Sequence, residues 1–156
     1  MAKLEGGSKS KDVDEAMERW HDRSLGHRLY DAFTVAGLRV EAIEIGRLLC
    51  SFMVPPRLTS SASNRMHGGA VASLVDLVGS AVFFAGGSPV TGVSLDITVS
   101  YLGAARANEE IEIEARVLGI GDKTGCVTVE VRRKDTGQVL AHGRHTKYLA
   151  NVSSKL

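Results

Sequence analysis

A chain of 156 residues, of which 44% are apolar and 24% charged, is long and apolar enough to bury a core of its own, which predicts one folded domain. The formal net charge is only +1, so composition gives no electrostatic case for binding nucleic acid or a membrane surface. The two cysteines, Cys50 and Cys126, lie in apolar runs, which favours buried free thiols over a disulfide and offers no cysteine-based metal site.

The two ends of the chain differ in character from its middle. Residues 1–11 are rich in Gly, Ser and Lys, which predicts a disordered tail, and we predict a single domain over residues 12–151. Residues 152–156 form a C-terminal tail whose last three residues, Ser154-Lys155-Leu156, spell the peroxisomal import tripeptide. We therefore predict a peroxisomal location and binding by the import receptor, with a cytoplasmic location as the alternative.

The spacing of apolar residues changes along the first third of the chain. Intervals of three and four residues between Asp12 and about Leu25 predict a short amphipathic helix, and one further turn is predicted at residues 30–33. Alternation with a period of two then predicts strands at residues 38–42 and 48–54, joined by a hairpin turn.

A long apolar segment follows, from Gly68 to Ala85, and Gly86-Gly87 is a typical helix end. Asp76 and several small residues interrupt it, so we interpret it as a buried core helix rather than a membrane span. One apolar helix beside an antiparallel sheet predicts an α+β fold in which the sheet wraps around the helix. Further strands are predicted at residues 93–101, 111–117 and 127–131 and in a last segment that ends near Leu149.

A carboxylate inside an apolar helix is costly unless it is paired, hydrogen-bonded or used in chemistry. Counting in steps of three and four places Asp76 on one helix face with Gly69, Ser73 and Ser80. The face is compatible with a structural Asp76 that is hydrogen-bonded to the serines, and equally with a catalytic Asp76. The pattern alone leaves both interpretations open.

The tripeptide His67-Gly68-Gly69 stands where this helix begins. Helix N-terminal N–H groups are unpaired and attract negative charge, and glycine lets a ligand approach the backbone, so one interpretation is an oxyanion site. The other is a tight turn into the helix. Gly68 and Asp76 are separated by about 12 Å along the helix axis. If both act on one substrate, two chains must contribute, and the site lies at a dimer interface.

Three segments together resemble the hotdog-fold acyl-CoA thioesterases of the phenylacetate-pathway type. They read NRMHGGAVASLVD from Asn64, TGVSLDITVSYLGAA from Thr91 and GRHTKYLA from Gly143, and the resemblance covers about Ala36 to Asn151. It implies an antiparallel sheet of five or six strands around one long central helix, a dimer with one continuous sheet, and a homotetramer. It also implies a hydrolase of lipid metabolism that converts an acyl-CoA to free acid and coenzyme A without a separate cofactor or metal.

The resemblance implies roles for individual residues as well. Asp76 would act as the general base for water or as a nucleophile, and Ser94 would orient the water. The N–H of Gly68 from the other subunit would polarise the thioester carbonyl, with Asn64 and His67 helping to hold it. Contacts to the coenzyme A part are implied for Tyr101, Arg106, Gly121, Lys123, Thr124, Arg144, Lys147 and Tyr148.

Two other functions are compatible with the same fold. A hotdog dehydratase or hydratase of 3-hydroxyacyl thioesters pairs a histidine with an acidic residue, as His67 and Asp76 could, but the His-x-x-x-Pro-Gly loop usual in those enzymes is absent from this sequence. A protein that binds acyl-CoA without turnover is the third possibility, and the intact Asp76 argues against it. Fatty acyl groups and aromatic ones, such as dihydroxynaphthoyl-CoA, both remain open. An acyl pocket is expected between residues of this helix and of a partner subunit, with Val75, Val78, Gly79, Val82 and Phe83 among its lining.

Overall fold

The computed structural model describes residues 29–149, which fall in two compact units divided between Ala36 and Gly37. In the first unit, helix α1 spans Leu29–Val35 and so extends the turn predicted at residues 30–33. The predicted tails and the predicted helix between residues 12 and 25 lie outside the described residues, and the import tripeptide stays a prediction.

The second unit contains six strands and one long helix, which confirms the predicted α+β hotdog fold. Neighbouring strands are all antiparallel, in the order β1-β2-β4-β5-β6-β3. The helix occupies the predicted residues, and most strands extend one to three residues beyond the alternating segments that predicted them. The elements are β1 (Arg39–Glu44), β2 (Arg47–Met53), a 3-10 turn (Pro56–Leu58), α2 (Gly68–Ala85), β3 (Val93–Tyr101), β4 (Glu110–Ile120), β5 (Thr124–Arg133) and β6 (Val139–Tyr148).

Helix α2 and the inner face of the sheet form the core. Ile111 and Ile113 of β4 and Val127 and Val129 of β5 alternate with polar residues and are fully buried. Burying each such side chain contributes about 1.5–3 kcal/mol. The helix residues that fill this core include Leu74, Val75, Val78, Val82 and Phe83.

The helix residues expected to line an acyl pocket together with residues of a partner subunit are buried in the single chain. Val75, Val82 and Phe83 are 0% exposed because their side chains pack against the sheet. Gly79 has no side chain, and a Cβ at this position would lie only 3.1 Å from a methyl group of Val129. This face of the helix therefore belongs to the core.

Within residues 29–149, α2 is the one helix that is long and apolar enough to cross a bilayer, judged by length and composition alone. The sheet packs against it from strands β2 to β6, and half of the helix is buried. Such burial is the packing of a core helix.

Strand β3 differs from the other strands because its apolar side chains remain uncovered. Its alternation correctly predicts a strand, yet Val93, Leu95 and Ile97 are 53%, 58% and 37% exposed. Among residues 29–149 the strand pairs only with β6, so no described strand covers its second edge. An open edge with exposed apolar side chains is a surface that another chain can cover.

Candidate active site

Asp76 lies midway along α2, and its side chain is 46% exposed in a single chain. Ser80, one turn further along, donates to its Oδ1 over 3.5 Å, and the Nε2 atom of His145 on β6 lies 3.6 Å from the same oxygen. Both distances are long for hydrogen bonds. The carboxylate is therefore loosely held and open to a small molecule.

His145 connects Asp76 to strand β3. Its side chain is fully buried, and its Nε2 atom lies 2.8 Å from the hydroxyl oxygen of Ser94. Gly79 leaves room for the ring, since a Cβ there would lie 3.3 Å from Nδ1. Burial lowers the pKa of His145, which the Asp76 carboxylate partly opposes, so the imidazole is neutral near pH 7.

The surroundings of the ring favour one tautomer of His145. The Nδ1 atom is buried and makes no hydrogen bond within residues 29–149, whereas Nε2 faces both Ser94 and the Asp76 carboxylate. A proton on Nε2 is attracted by that carboxylate and can be donated to the Ser94 hydroxyl oxygen. Ser94 then has its own proton available for another acceptor.

The sequence interpretation did not single out His145, although a signal was present. The inward-facing positions of β6 alternate from Ala141 through Gly143 to His145 and Lys147, and all four are buried. Two polar residues on the core side of a strand need partners. Periodicity marks them as buried but does not identify which residue they meet.

Lys147 was predicted to contact coenzyme A, on the expectation that its ammonium is at the surface. The residue is instead 5% exposed, and its Nζ atom donates to the hydroxyl of Ser80 over 2.6 Å. Burial lowers the pKa of Lys147, an effect that Asp76 opposes. The ammonium thus lies inside the fold, next to the carboxylate.

The N-terminus of α2 presents a second polar feature. His67 is the N-cap, and its Nδ1 atom accepts the N–H of Gly69 at 3.1 Å. The N–H of Gly68 has no partner within the described part of the chain, and the hydroxyl of Tyr101 donates to the Gly68 carbonyl over 2.8 Å. An unpaired donor at a helix N-terminus is suited to a developing oxyanion.

An apolar cavity adjoins this helix end. Its volume is about 180 Å³, and Gly68, Val71 and Tyr101 are among the residues that line it. Asn64 lies in the loop before α2 with a φ of 55°, and its side chain is exposed and makes no hydrogen bond within residues 29–149. The predicted role of Asn64 at the thioester carbonyl stays a prediction.

The residues predicted to contact coenzyme A fall into groups that lie far apart. Tyr101 adjoins Gly68 at the N-terminus of α2. Gly121 lines a cavity of about 320 Å³ together with Gly86, which follows the C-terminus of the same helix. A helix of 18 residues is about 27 Å long, so one chain holds these two groups at opposite ends.

Most of the other residues predicted to contact coenzyme A also lie near one end of α2 or the other, and Arg144 lies at neither. Arg106 forms a backbone bridge with Arg65, shortly before the helix N-terminus. Lys123 and Thr124 lie at the β4–β5 turn with Gly121, and Thr124 pairs with Tyr148. Arg144 is exposed on the sheet face that points away from α2, where it pairs with Thr98 and Thr128. The predicted contacts therefore do not form one continuous surface on a single chain.

Comparisons with known proteins agree with this architecture. The family described as the thioesterase superfamily matches residues 63–140. Human acyl-coenzyme A thioesterase 13 is 35% identical over 106 residues, which cover 68% of this chain and 75% of the human protein. The crystal structure of zebra fish thioesterase superfamily member 2 has a TM-score of 0.72 at 32% identity and covers 75% of this chain and 84% of its own.

A more distant structure shows the same fold. The E. coli PaaI protein from the phenylacetic acid degradation operon has a TM-score of 0.65 at 19% identity, covering 92% of this chain and 99% of its own. At that identity the likeness shows the fold alone. It agrees with the hotdog fold that the sequence resemblance implies, while the match to the thioesterase superfamily confirms the family.

Proposed function

Because this chain belongs to the thioesterase superfamily, we propose that it hydrolyses an acyl-CoA thioester to a carboxylic acid and free coenzyme A. The name of its human relative, acyl-coenzyme A thioesterase 13, supports this substrate class. The observation that carries the proposal is the Asp76 carboxylate, which remains 46% exposed in an otherwise apolar helix and is held only by long contacts. Its position meets the requirement of a base that must reach a water molecule.

In the proposed reaction, water attacks the thioester carbonyl carbon while Asp76 accepts a proton from that water. The carbonyl oxygen becomes negatively charged and is stabilised by the Gly68 N–H of the other subunit. The carbon–sulfur bond then breaks, and the thiolate of coenzyme A leaves and takes up a proton. A positioned base contributes about 10²- to 10⁴-fold in rate, and one oxyanion donor about 10²- to 10³-fold. Attack by the carboxylate itself, followed by hydrolysis of the anhydride, is the other route to the same products.

Ser94 has a supporting role in this proposal. Its hydroxyl oxygen lies 2.8 Å from His145, whose neutral ring also faces Asp76. When Nε2 donates to Ser94, the Ser94 proton or lone pair can hold a water beside the carboxylate. The interaction thus orients the nucleophile without adding charge.

Two chains complete each site in this proposal. The Gly68 N–H and Asp76 are about 12 Å apart on one helix, and the predicted coenzyme A contacts lie at its two ends. The open, apolar edge of β3 supports a homodimer in which the two β3 strands pair and the sheet becomes continuous. Two such dimers would form the predicted homotetramer.

The activity test measures thiol release from a panel of fatty acyl-CoAs and aromatic acyl-CoAs. We expect release that Asp76→Asn reduces at least about 100-fold, because the base is lost. The matched control is Asp135→Asn, an exposed turn residue whose change leaves the rate unaltered. Hydration of an enoyl-CoA without thiol release would contradict hydrolysis, as would tight binding without any turnover.

The role of the Gly68 N–H can be tested with little change to the fold. Gly68→Pro removes the N–H at a first helical position, where proline is tolerated, and His67 before it has the extended backbone that proline requires (φ −67°, ψ 137°). We expect kcat/KM to fall by about 10²- to 10³-fold. Gly68→Ala is the matched control, since it keeps the N–H and its Cβ would lie 3.5 Å from the Tyr101 ring, an ordinary contact. Equal effects of the two variants would contradict an oxyanion role.

A mixture of Asp76→Asn and Gly68→Pro subunits tests the shared site. A hybrid dimer contains one site with both intact groups and one site with neither. After complete exchange, half of the dimers are hybrids, so activity should recover to about a quarter of the wild-type value. No recovery, with subunit exchange verified by mass, would place both groups in the same chain's site.

A further inference from the structure

Lys147 is buried where lysine is rarely found. It occupies an inward-facing position of β6, two residues after His145, and is 5% exposed. A buried ammonium is costly unless an opposite charge and hydrogen bonds compensate for the lost water. Lys147 therefore needs an anionic partner inside the fold.

The hydrogen bonds around Lys147 lead to that partner. Its Nζ atom lies 2.6 Å from the Ser80 hydroxyl oxygen, and an ammonium can only donate. Ser80 accepts this bond, so its own proton points elsewhere, and Asp76 Oδ1 lies 3.5 Å away as an acceptor. The three groups form a chain from ammonium to hydroxyl to carboxylate.

The charged groups that face Lys147 come from few elements. Helix α2 contributes Asp76, and β6 itself contributes the neutral His145. On β3, the charge of Asp96 raises the pKa of His145. On β5, the residue paired with Lys147 is Gly125, which carries no charge. Within residues 29–149, Asp76 is therefore the anion that balances the ammonium, while burial lowers the pKa of Lys147.

We propose that Lys147 is a positioning residue: it fixes the Ser80 hydroxyl, and through that hydroxyl it favours the orientation of the loosely held Asp76 carboxylate that accepts a proton from the attacking water. This inference rests on the proposed thioester hydrolysis and adds to it two residues, Lys147 and Ser80, that act through Asp76. It differs from the expectation of a phosphate contact, because the ammonium lies inside the sheet beside α2.

The first test compares kcat and KM for Lys147→Met and Ser80→Ala. Methionine fills the space of the lysine stem without its charge. We expect each variant to lower kcat by on the order of 10- to 100-fold, as misplaced catalytic groups do, with KM nearly unchanged. The double variant should be no slower than the slower single variant, because the two residues act in series. The matched control is Lys134→Met, an exposed lysine of the β5–β6 turn, which should keep wild-type activity.

The second test is the pH profile, which a purely structural role would not move. Wild-type kcat should fall on the alkaline side at a pH below the ordinary lysine range, as the Lys147 ammonium loses its proton. Lys147→Arg should move that decline to higher pH because a guanidinium stays protonated, and Lys147→Met should abolish it.

The outcomes separate the inference from the function beneath it. A kcat within twofold of wild type in Lys147→Met would overturn the positioning role, and so would a raised KM with unchanged kcat or an alkaline decline that persists in Lys147→Met. If Lys147→Met does not fold, Ser80→Ala and Lys147→Arg decide by the same measures. A wild-type protein inactive on every acyl-CoA would contradict the proposed hydrolysis itself, and with it the role of Lys147.

Discussion

Two carboxylates of this fold, Asp76 on α2 and Glu114 on β4, have opposite surroundings. Glu114 is 9% exposed and receives hydrogen bonds from three arginines, Arg47, Arg116 and Arg132. Those bonds, the one from Arg47 first, lower its pKa to about 2. Asp76 has only long contacts, to Ser80 and His145, and a side chain that is 46% exposed.

The difference separates a carboxylate that holds the fold from one available for chemistry. The oxygens of Glu114 are occupied by donors that join β2, β4 and β5 across the outer face of the sheet. A water molecule would have to displace an arginine to reach them. The carboxylate oxygens of Asp76 can still accept further hydrogen bonds, although this leaves a partly exposed charge in an apolar helix. Availability, rather than burial, supports the proposed role of Asp76 as the base.

The largest expected effect is on activity. Asp76→Asn should lower kcat by about 10²- to 10⁴-fold, because an amide cannot accept the water proton. Glu114→Gln, the same loss of charge on the other face of the sheet, should change kcat less than twofold. Thiol release from an acyl-CoA measures both. Comparable losses of activity in the two folded variants would contradict the distinction between a carboxylate used in chemistry and one that stabilises the fold.

His145 tests how far the loose contacts of Asp76 matter. Replacing His145 by glutamine keeps a donor near Ser94 but changes its geometry, so kcat should fall on the order of 10- to 100-fold. His145→Ala leaves the Ser94 hydroxyl without its partner and creates a cavity in the core. It should therefore lower activity further and also destabilise the fold. Steady-state kinetics and thermal unfolding would report the two effects. An active, fully stable His145→Ala would show that the ring is unimportant to Asp76.

Stability should respond in the reverse order to activity. Glu114→Gln weakens the charge-assisted hydrogen bonds from three arginines, and the free energy of unfolding should fall by about 2 kcal/mol. Asp76→Asn should lower that free energy by less, since its carboxylate is half exposed and contacts the Lys147 ammonium only through the Ser80 hydroxyl. Denaturant unfolding followed by circular dichroism provides the comparison. A larger loss in Asp76→Asn would make it the structural carboxylate.

The smallest expected effect is a difference in acid stability. The pKa of Glu114 is about 2 in the fold, against about 4.5 for an ordinary glutamate, so its contribution is fully present above about pH 4.5. That contribution is lost as the pH falls from about 4.5 to about 2, because Glu114 must then take up a proton. Glu114→Gln should lose less stability than wild type over the same interval. Parallel curves for the two proteins would contradict the assignment.

Much of the fold could be predicted from local pattern. The helix from Gly68 to Ala85 was predicted with its observed ends, because a His-Gly-Gly start and a Gly-Gly stop border a long, mostly apolar segment. The nine residues of β3 were also predicted, since strict alternation continues from Val93 to Tyr101. Neither pattern contains the order of strands. Alternation predicts which side chains of a strand share a face, but it does not predict which strands are neighbours in the sheet.

The candidate site was predicted only in its parts. Asp76 stands out in the sequence because its charge conflicts with an apolar helix. The His-Gly-Gly tripeptide stands out because it borders that helix. His145 and Lys147 are separated from Asp76 by about 70 positions, and only the closing of β6 over the helix brings them to it. No local spacing encodes that approach. The alternation of inward-facing positions along β6 could have indicated that His145 and Lys147 are buried. It could not have indicated that Lys147 donates a hydrogen bond to Ser80.

By itself, the sequence determined that one long apolar helix with a charge at its middle lies within an antiparallel sheet, because local hydrophobic period and capping residues suffice for that. Tertiary structure decided which carboxylate is available, because availability depends on donors supplied by distant strands: three arginines for Glu114, one serine and one histidine for Asp76. It also decided that β3 lies at an open edge with its apolar side chains uncovered. Long-range pairing sets both outcomes, and pairing is a property of the folded chain as a whole.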